Sequence, residues 1–263
     1  MAIITTMMRL TTTTAITRTA TPPTARTATR MTDQPAEGAE GTAASPDLAL
    51  LLTWFSPSCP IGAFSYSHGL ETLFETGGLG DAAATLSALT TALRDGAGRA
   101  DAILAAHAWR AAQAGDADAL DTLSDLGLAL GPSHERREET LRQGNAFAEL
   151  VDAVWAGPLA LSNRNRPLPV AVGAAGAMQG LPLRPLLVAA LHGFAANLVS
   201  AAVRLVPLGQ TDGQRITAAL LPVAVDIAAA AEHAPLDAIH SAAIGLDIAA
   251  MGHEVQRVRL FRS

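Results

Sequence analysis

What most constrains this chain is its punctuation. Helix starts and helix stops recur along residues 45–263, with Ala- and Leu-rich runs between them. Ser45, Pro46 and Asp47 combine a capping residue, a proline at the first helical position and an early acid, which together open a helix. That run, LALLLTWF, is stopped by Pro57. A second helix is expected over 65–75, closed by Gly77 and Gly78. Asp81 caps a third, which breaks at residues 96–98, and two more run over 99–114 and 116–130. Ser133 caps HERREETLRQGNAFAELVDAVWA, in which Leu141, Phe147, Leu150, Val151 and Val154 share a broad apolar face. A polar, proline-bounded connection at 157–169 leads to PVAVGAAGAMQG and then to a long helix over 185–206. Thr211 and Gln214 form a capping box for the next helix, and the last begins near Pro235. Ala and Leu lose little on entering a helix, and no strand alternation or fixed-period repeat competes. The expected fold class is all-α, a single domain of about ten packed helices over 46–263. Gly144, Gly173, Gly176, Gly193 and Gly245 fall inside apparent helices. Each costs about 1 kcal/mol against Ala there, so they are read as sites of close helix contact.

Residues 1–45 differ in kind. MAIITTMMRLTTTTAITRTATPPTARTATR is rich in Thr, Ala and Arg and has no amphipathic stripe, so this extension is expected to be disordered. The composition becomes acidic at Met31, which favours translation starting there. The whole chain carries a net charge of −6, which argues against nucleic-acid binding through bulk charge. All 18 basic residues are arginine. Without lysine there is no Walker A loop and no Schiff base, so any nucleotide must be bound by a partner. A single cysteine, Cys59, forbids an internal disulfide and a C-x-x-C pair, and fits a cytoplasmic home. The apolar stretch 186–208 is interrupted by His192, Asn197 and Arg204, and is read as a buried helix rather than a membrane span.

Several enzyme signatures are incomplete. HERRE at His134 and HEVQR at His253 lack the second His of a zincin helix. A nucleophile elbow needs glycines on both sides, and Ser67 has only Gly69 while Ser65 has neither, though Ser67, His68 and a distant Asp remain open as a hydrolase triad. His68 and Glu71 stand three apart on the expected second helix and read as a hydrogen-bonded pair or, less commonly, a metal pair. A stand-alone nickel metallochaperone is a further alternative, against which stands the absence of a Cys pair or His tract. His107 and His192 read as core or interface residues. Arg136, Arg137, Glu138 and Glu139 read as a solvated helix face with local ion pairs. Two segments look unlike ordinary surface. One is the loop SPSCPIGAFSYSHGLET at 56–72; the other is the end HEVQRVRLFRS, where Val255, Val258, Leu260 and Phe261 alternate with Arg257, Arg259 and Arg262.

Three of these stretches together resemble the urease accessory protein UreF family. SPSCPIGAFSYSHGLE is similar to its N-terminal signature, RLVPLGQTDGQ to its second hallmark and DIAAMGHEVQRVRLFRS to its C-terminal hallmark. The resemblance covers about 45–263 and leaves the N-terminal extension outside. It implies an all-α homodimer, not an enzyme, without a cofactor of its own. It would bridge the accessory protein UreD (also called UreH) and the GTPase UreG on apo-urease. UreG would bind GTP, and nickel would be handled by the complex, with no metal held by this chain. Neither nucleic acid nor membrane would be a partner. The candidate partner contacts are Tyr66, His68, Glu71, Arg204, Gln210, His253, Glu254, Arg257, Arg259, Leu260, Phe261, Arg262 and Ser263.

Overall fold

A computed structural model describes residues 46–263. The Ser45 cap and the N-terminal extension lie outside the described residues. Among those described there are ten α-helices and no strand: α1 (Pro46–Trp54), α2 (Leu70–Glu75), α3 (Ala82–Arg94), α4 (Ala97–Gln113), α5 (Ala117–Ala129), α6 (His134–Val154), α7 (Leu168–Met178), α8 (Leu183–Leu205), α9 (Gln210–Ala231) and α10 (Ile244–His253). Short 3-10 turns sit at Ala63–Ser65 and Leu236–Ala238. The expected all-α class is what forms.

The caps act where the sequence put them at three helices. Asp81, Asp116 and Ser133 each accept a backbone N–H in the first turn of α3, α5 and α6. Three boundaries differ from expectation. Helix α2 begins at Leu70 rather than at residue 65, because His68 and Gly69 both take left-handed backbone angles, φ 57° and 80°. Helix α9 begins at Gln210 behind Gly209, so Thr211 is already inside it and caps nothing. Near Pro235 the chain makes only a 3-10 turn, then runs irregularly until α10 starts at Ile244.

Helix α4 is the hub. Its small side chains Ala105, Ala106 and Ala108 are buried, and α7 lies directly against it. Gly173 permits that approach: a Cβ there would collide with the Ala105 carbonyl oxygen. Gly144 and Gly176 are equally closed in, against the Arg166 carbonyl and Leu186, whereas Gly245 faces open space. One apolar cluster joins α3, α4, α8 and α9 through Leu89, Leu93, Ile103, Leu187, Leu198 and Leu220. The other joins α1, α4, α5, α6 and α7 around Trp54, which meets Phe147 and Trp155 edge-on at 5.2 and 5.8 Å. Each such Leu or Phe contributes about 1.5–3 kcal/mol by burial. Helices α8 and α9 are long and apolar enough to cross a membrane by length and composition, yet here they pack on each other and on α3 and α4. His192 on α8 is exposed, so of the core and interface readings the core one does not hold for it. His107 instead meets the Ala234 carbonyl at 3.0 Å.

Candidate functional site

The loop at 56–69 and the last eight residues come together. Gly69 makes room for this: a Cβ there would stand 2.7 Å from the Ala250 backbone nitrogen of α10. Helix α10 can therefore lie against α2, and the tail leaving α10 returns along the loop. The tail is held by its backbone. The Arg262 N–H donates to the Ser65 carbonyl at 2.9 Å, and the Ser67 N–H donates to the Ser263 backbone oxygen at 2.9 Å. The Ser67 hydroxyl donates to that same oxygen.

Three glutamates fix the rest. The Glu71 carboxylate accepts from Leu260 N–H at 2.6 Å and Phe261 N–H at 2.9 Å, and lies 3.2 Å from His253 Nε2. Glu135 stands 2.6 Å from His253 Nδ1 and accepts from Arg259 at 2.5 Å. Glu139 accepts from the Ser263 hydroxyl at 2.6 Å and from Arg136. His253 is fully buried and spends both ring nitrogens on carboxylates. Arg259 also donates to the backbone carbonyls of Glu254 and Gln256, folding the tail into a turn. The Glu254 carboxylate accepts the His134 N–H at 2.6 Å, an anion at the start of α6 where the helix dipole favours one.

Arg136 and Glu139 are the residues that sequence reading misplaced. They are buried, not solvated, and form a knot with His68, whose Nε2 lies 2.7 Å from Glu139 and 2.8 Å from Arg136. Burial alone would raise the Glu139 pKa. Arg136, His68 and Ser263 together outweigh that largest single effect, and the carboxyl is held at about 2. Burial and then Arg136 push His68 down from its ordinary value, against the pull of Glu139. His68 and Glu71 do not pair, since His68 precedes α2 and serves Glu139 while Glu71 serves the tail.

Other sequence-predicted residues also converge. Arg204 donates to the Phe64 carbonyl at 2.9 Å, and its guanidinium lies 4.0 Å from the Phe64 ring and 4.4 Å from the Phe261 ring. Tyr66, within the loop on which the tail docks, is buried. Gln210 is apart, exposed at the first position of α9 with no hydrogen bond to the cluster among the described residues. The side chains of Arg257 and Arg262 are exposed. So are Val255, Val258 and Leu260, and so are Ile244, Ile248 and Met251, which share one face of α10 by their helical spacing.

This geometry answers two chemical questions. Ser67 is fully buried with its hydroxyl committed to the tail, and His68 faces Glu139 and Arg136, so the two do not form a nucleophile–base pair. Among the described residues, no group of three His, Cys, Asp or Glu is arranged to hold a metal ion. Burial raises the Cys59 thiol pKa, which disfavours its thiolate.

A family model described as UreF matches residues 79–221. A protein of Cereibacter sphaeroides (strain KD131) called urease accessory protein UreF is 51% identical over 219 residues, covering 83% of this chain and all of that one. Proteins of the same name from Rhodopseudomonas palustris and Bradyrhizobium sp. (strain ORS 278) are 46% and 48% identical, covering 89% and 86% of this chain and 100% and 95% of theirs. The chain belongs to the UreF family of urease accessory proteins. The UreF family model spans α3 to the middle of α9 and so stops short of both the opening loop and the tail that docks on it.

Proposed function

We propose that the protein is a non-catalytic cytoplasmic scaffold of urease maturation. It acts as a homodimer, joins UreD to UreG and holds that assembly on apo-urease while nickel is inserted. UreG supplies the GTP site that a lysine-free chain cannot, and the scaffold modulates its GTPase. Nickel is cargo of the complex and is not retained by this chain.

The observation that carries this reading is the division of labour in the tail. Its backbone and its polar groups turn inward to Glu71, Glu135 and Glu139. Its apolar side chains other than Phe261 turn outward, with Val255 82%, Val258 78% and Leu260 63% exposed, and follow the exposed apolar face of α10 in the chain. An ordered apolar ridge flanked by Arg257 and Arg262 has the composition of an interface core with a charged rim. The tail need not order itself on binding, which removes a cost that a disordered anchor would carry. UreD is the partner assigned to this ridge, and UreG meets a composite face of the dimer that includes the Gln210 turn.

The test replaces outward side chains and leaves the inward bonds alone. Val258→Asp with Leu260→Asp is expected to abolish co-purification with UreD and to stop urease activation in a reconstituted nickel assay. The helical spectrum and melting temperature should be retained. Undiminished UreD binding by a folded double variant refutes this assignment of the ridge.

A further inference from the structure

Behind the Arg136–Glu139 knot lies a half-open cleft of about 90 Å³ between α4, the end of α5, α6, α8 and α10. Asp101 of α4 lines it, and its carboxylate makes no hydrogen bond or ion pair with any described residue. Every cation nearby is already engaged. Arg136 is held by Glu139 and His68. Arg99, on the same helix, donates to the Ala238 carbonyl at 2.8 Å. The other polar groups of the lining are engaged as well: Asp247 accepts from Ser241 at 2.8 Å, and His240 Nδ1 meets the Ala238 carbonyl at 3.0 Å. The remaining wall is apolar or aromatic, with Leu130, Phe194 and Leu246 prominent.

We propose that this cleft is a socket for the end of a lysine or arginine side chain from a partner protein, with Asp101 as its counter-ion. An alkyl stem matches the apolar wall, and a cation near Phe194 gains from the ring face. An anion is disfavoured, because Glu139 stays ionised beside Arg136 and Asp247 adds a second negative charge. A divalent metal needs several oxygen or nitrogen ligands, and here only one carboxylate lacks a partner. The socket goes beyond the scaffold reading and stands or falls independently of UreD and UreG.

The electrostatics of the empty cleft fit this use. Burial drives the Asp101 carboxyl up to about 7, with Glu139 adding to the rise and Arg136 opposing it. His68 from the opening loop, His240 from the loop before α10, Asp247 of α10 and Arg99 are the other titratable groups around it. An incoming cation favours the ionised form, so occupation releases a proton below neutral pH. A carboxyl titrating near 7 goes from about one-tenth to about nine-tenths ionised between pH 6 and pH 8.

The experiment is an NMR titration of the full chain with acetyl-Gly-Lys-Gly-amide and acetyl-Gly-Arg-Gly-amide. The amides of residues 98–104 and the Phe194 ring are followed. Saturable shifts are expected, with a Kd on the order of millimolar and about tenfold tighter at pH 8 than at pH 6. The acetyl-lysine peptide should not bind. Asp101→Asn should remove the shifts while circular dichroism shows helices retained. Should that variant unfold, the pH dependence of the unaltered protein and a loss of affinity in Phe194→Leu test the same claim. Four results overturn it: no saturable shift, pH-independent binding, equal binding of the acetyl-lysine peptide, or occupation by Ni²⁺ or Mg²⁺ but not by the peptides.

Discussion

Glu71→Gln should loosen the tail while leaving the rest of the fold in place. One Glu71 oxygen accepts the Leu260 N–H at 2.6 Å; the other accepts the Phe261 N–H at 2.9 Å and lies 3.2 Å from His253 Nε2. Glutamine keeps the shape but turns one oxygen into an NH₂ donor. Whichever oxygen is replaced, a donor then faces a donor. A hydrogen bond to a charged acceptor is worth about 1.5–3 kcal/mol, and a buried unpaired donor costs about as much. The tail can escape part of this by lifting off, so the observable loss is roughly 2–3 kcal/mol of local docking free energy. That corresponds to amide exchange on the order of 30- to 150-fold faster at Leu260 and Phe261. Native-state hydrogen exchange reads those two amides directly, with amides in the middle of α4 as the reference for global opening. Faster tryptic cleavage after Arg257 and Arg259 should accompany the change. Unchanged exchange at Leu260 and Phe261 refutes the reasoning. An equal acceleration in α4 refutes it as well, because the carboxylate would then be supporting the whole core.

Three further outcomes follow from the same coordinates. Gly173→Ala places a methyl against the Ala105 carbonyl and forces α7 off α4, so urea denaturation should show a loss of about 1–3 kcal/mol. Glu139 is held at about 2 against an ordinary 4.5, so its ionisation contributes stability that is fully present above about pH 4.5 and lost as pH falls through about 2. The wild-type advantage over Glu139→Gln, roughly 3 kcal/mol at pH 6 by this linkage, should therefore shrink across that window; a gap constant from pH 6 to pH 2.5 contradicts the assignment. Arg204→Lys keeps the charge but loses the planar stack on Phe64 and Phe261, and should cost about 0.5–2 kcal/mol in tail docking, read by exchange at the Phe261 amide.

Much of the fold was legible because helix boundaries are local chemistry. Asp81 and Ser133 cap the helices they were expected to cap, Asp116 caps the one expected to begin at it, and a capping oxygen needs only its own next turn. The boundary at residue 65 was misread for a non-local reason. Ser65 and Ser67 look like helix-starting residues, but their backbone groups are taken by Arg262 and Ser263, nearly 200 positions away. His68 enters the left-handed region within that pairing, and the helix waits until Leu70. Nothing within four residues of Ser65 encodes this competition.

The misreading of Arg136 and Glu139 has a different cause, and one that could have been avoided. Charge pairs at helical spacing are usually surface, so RREE was read as solvent-facing. Yet the buried stripe of α6, taken back from Val151 through Phe147 in steps of four and then three, passes through Gln143 and Glu139 to Arg136. The stripe does not end where its hydrophobic residues end. It continues as a buried polar strip because the segment packed against it, residues 256–263, is not helical, and its backbone N–H and hydroxyl groups need acceptors. Carboxylates at Glu71 and Glu139 supply them, Glu135 accepts the Arg259 side chain, and Arg136 and Arg259 offset the charge. Polarity on the core face of a helix thus marked the docking track of the tail. The mix of apolar residues and arginines in RVRLFRS marked the complementary fact, since only Phe261 of its apolar residues turns inward and Val258 and Leu260 stay exposed.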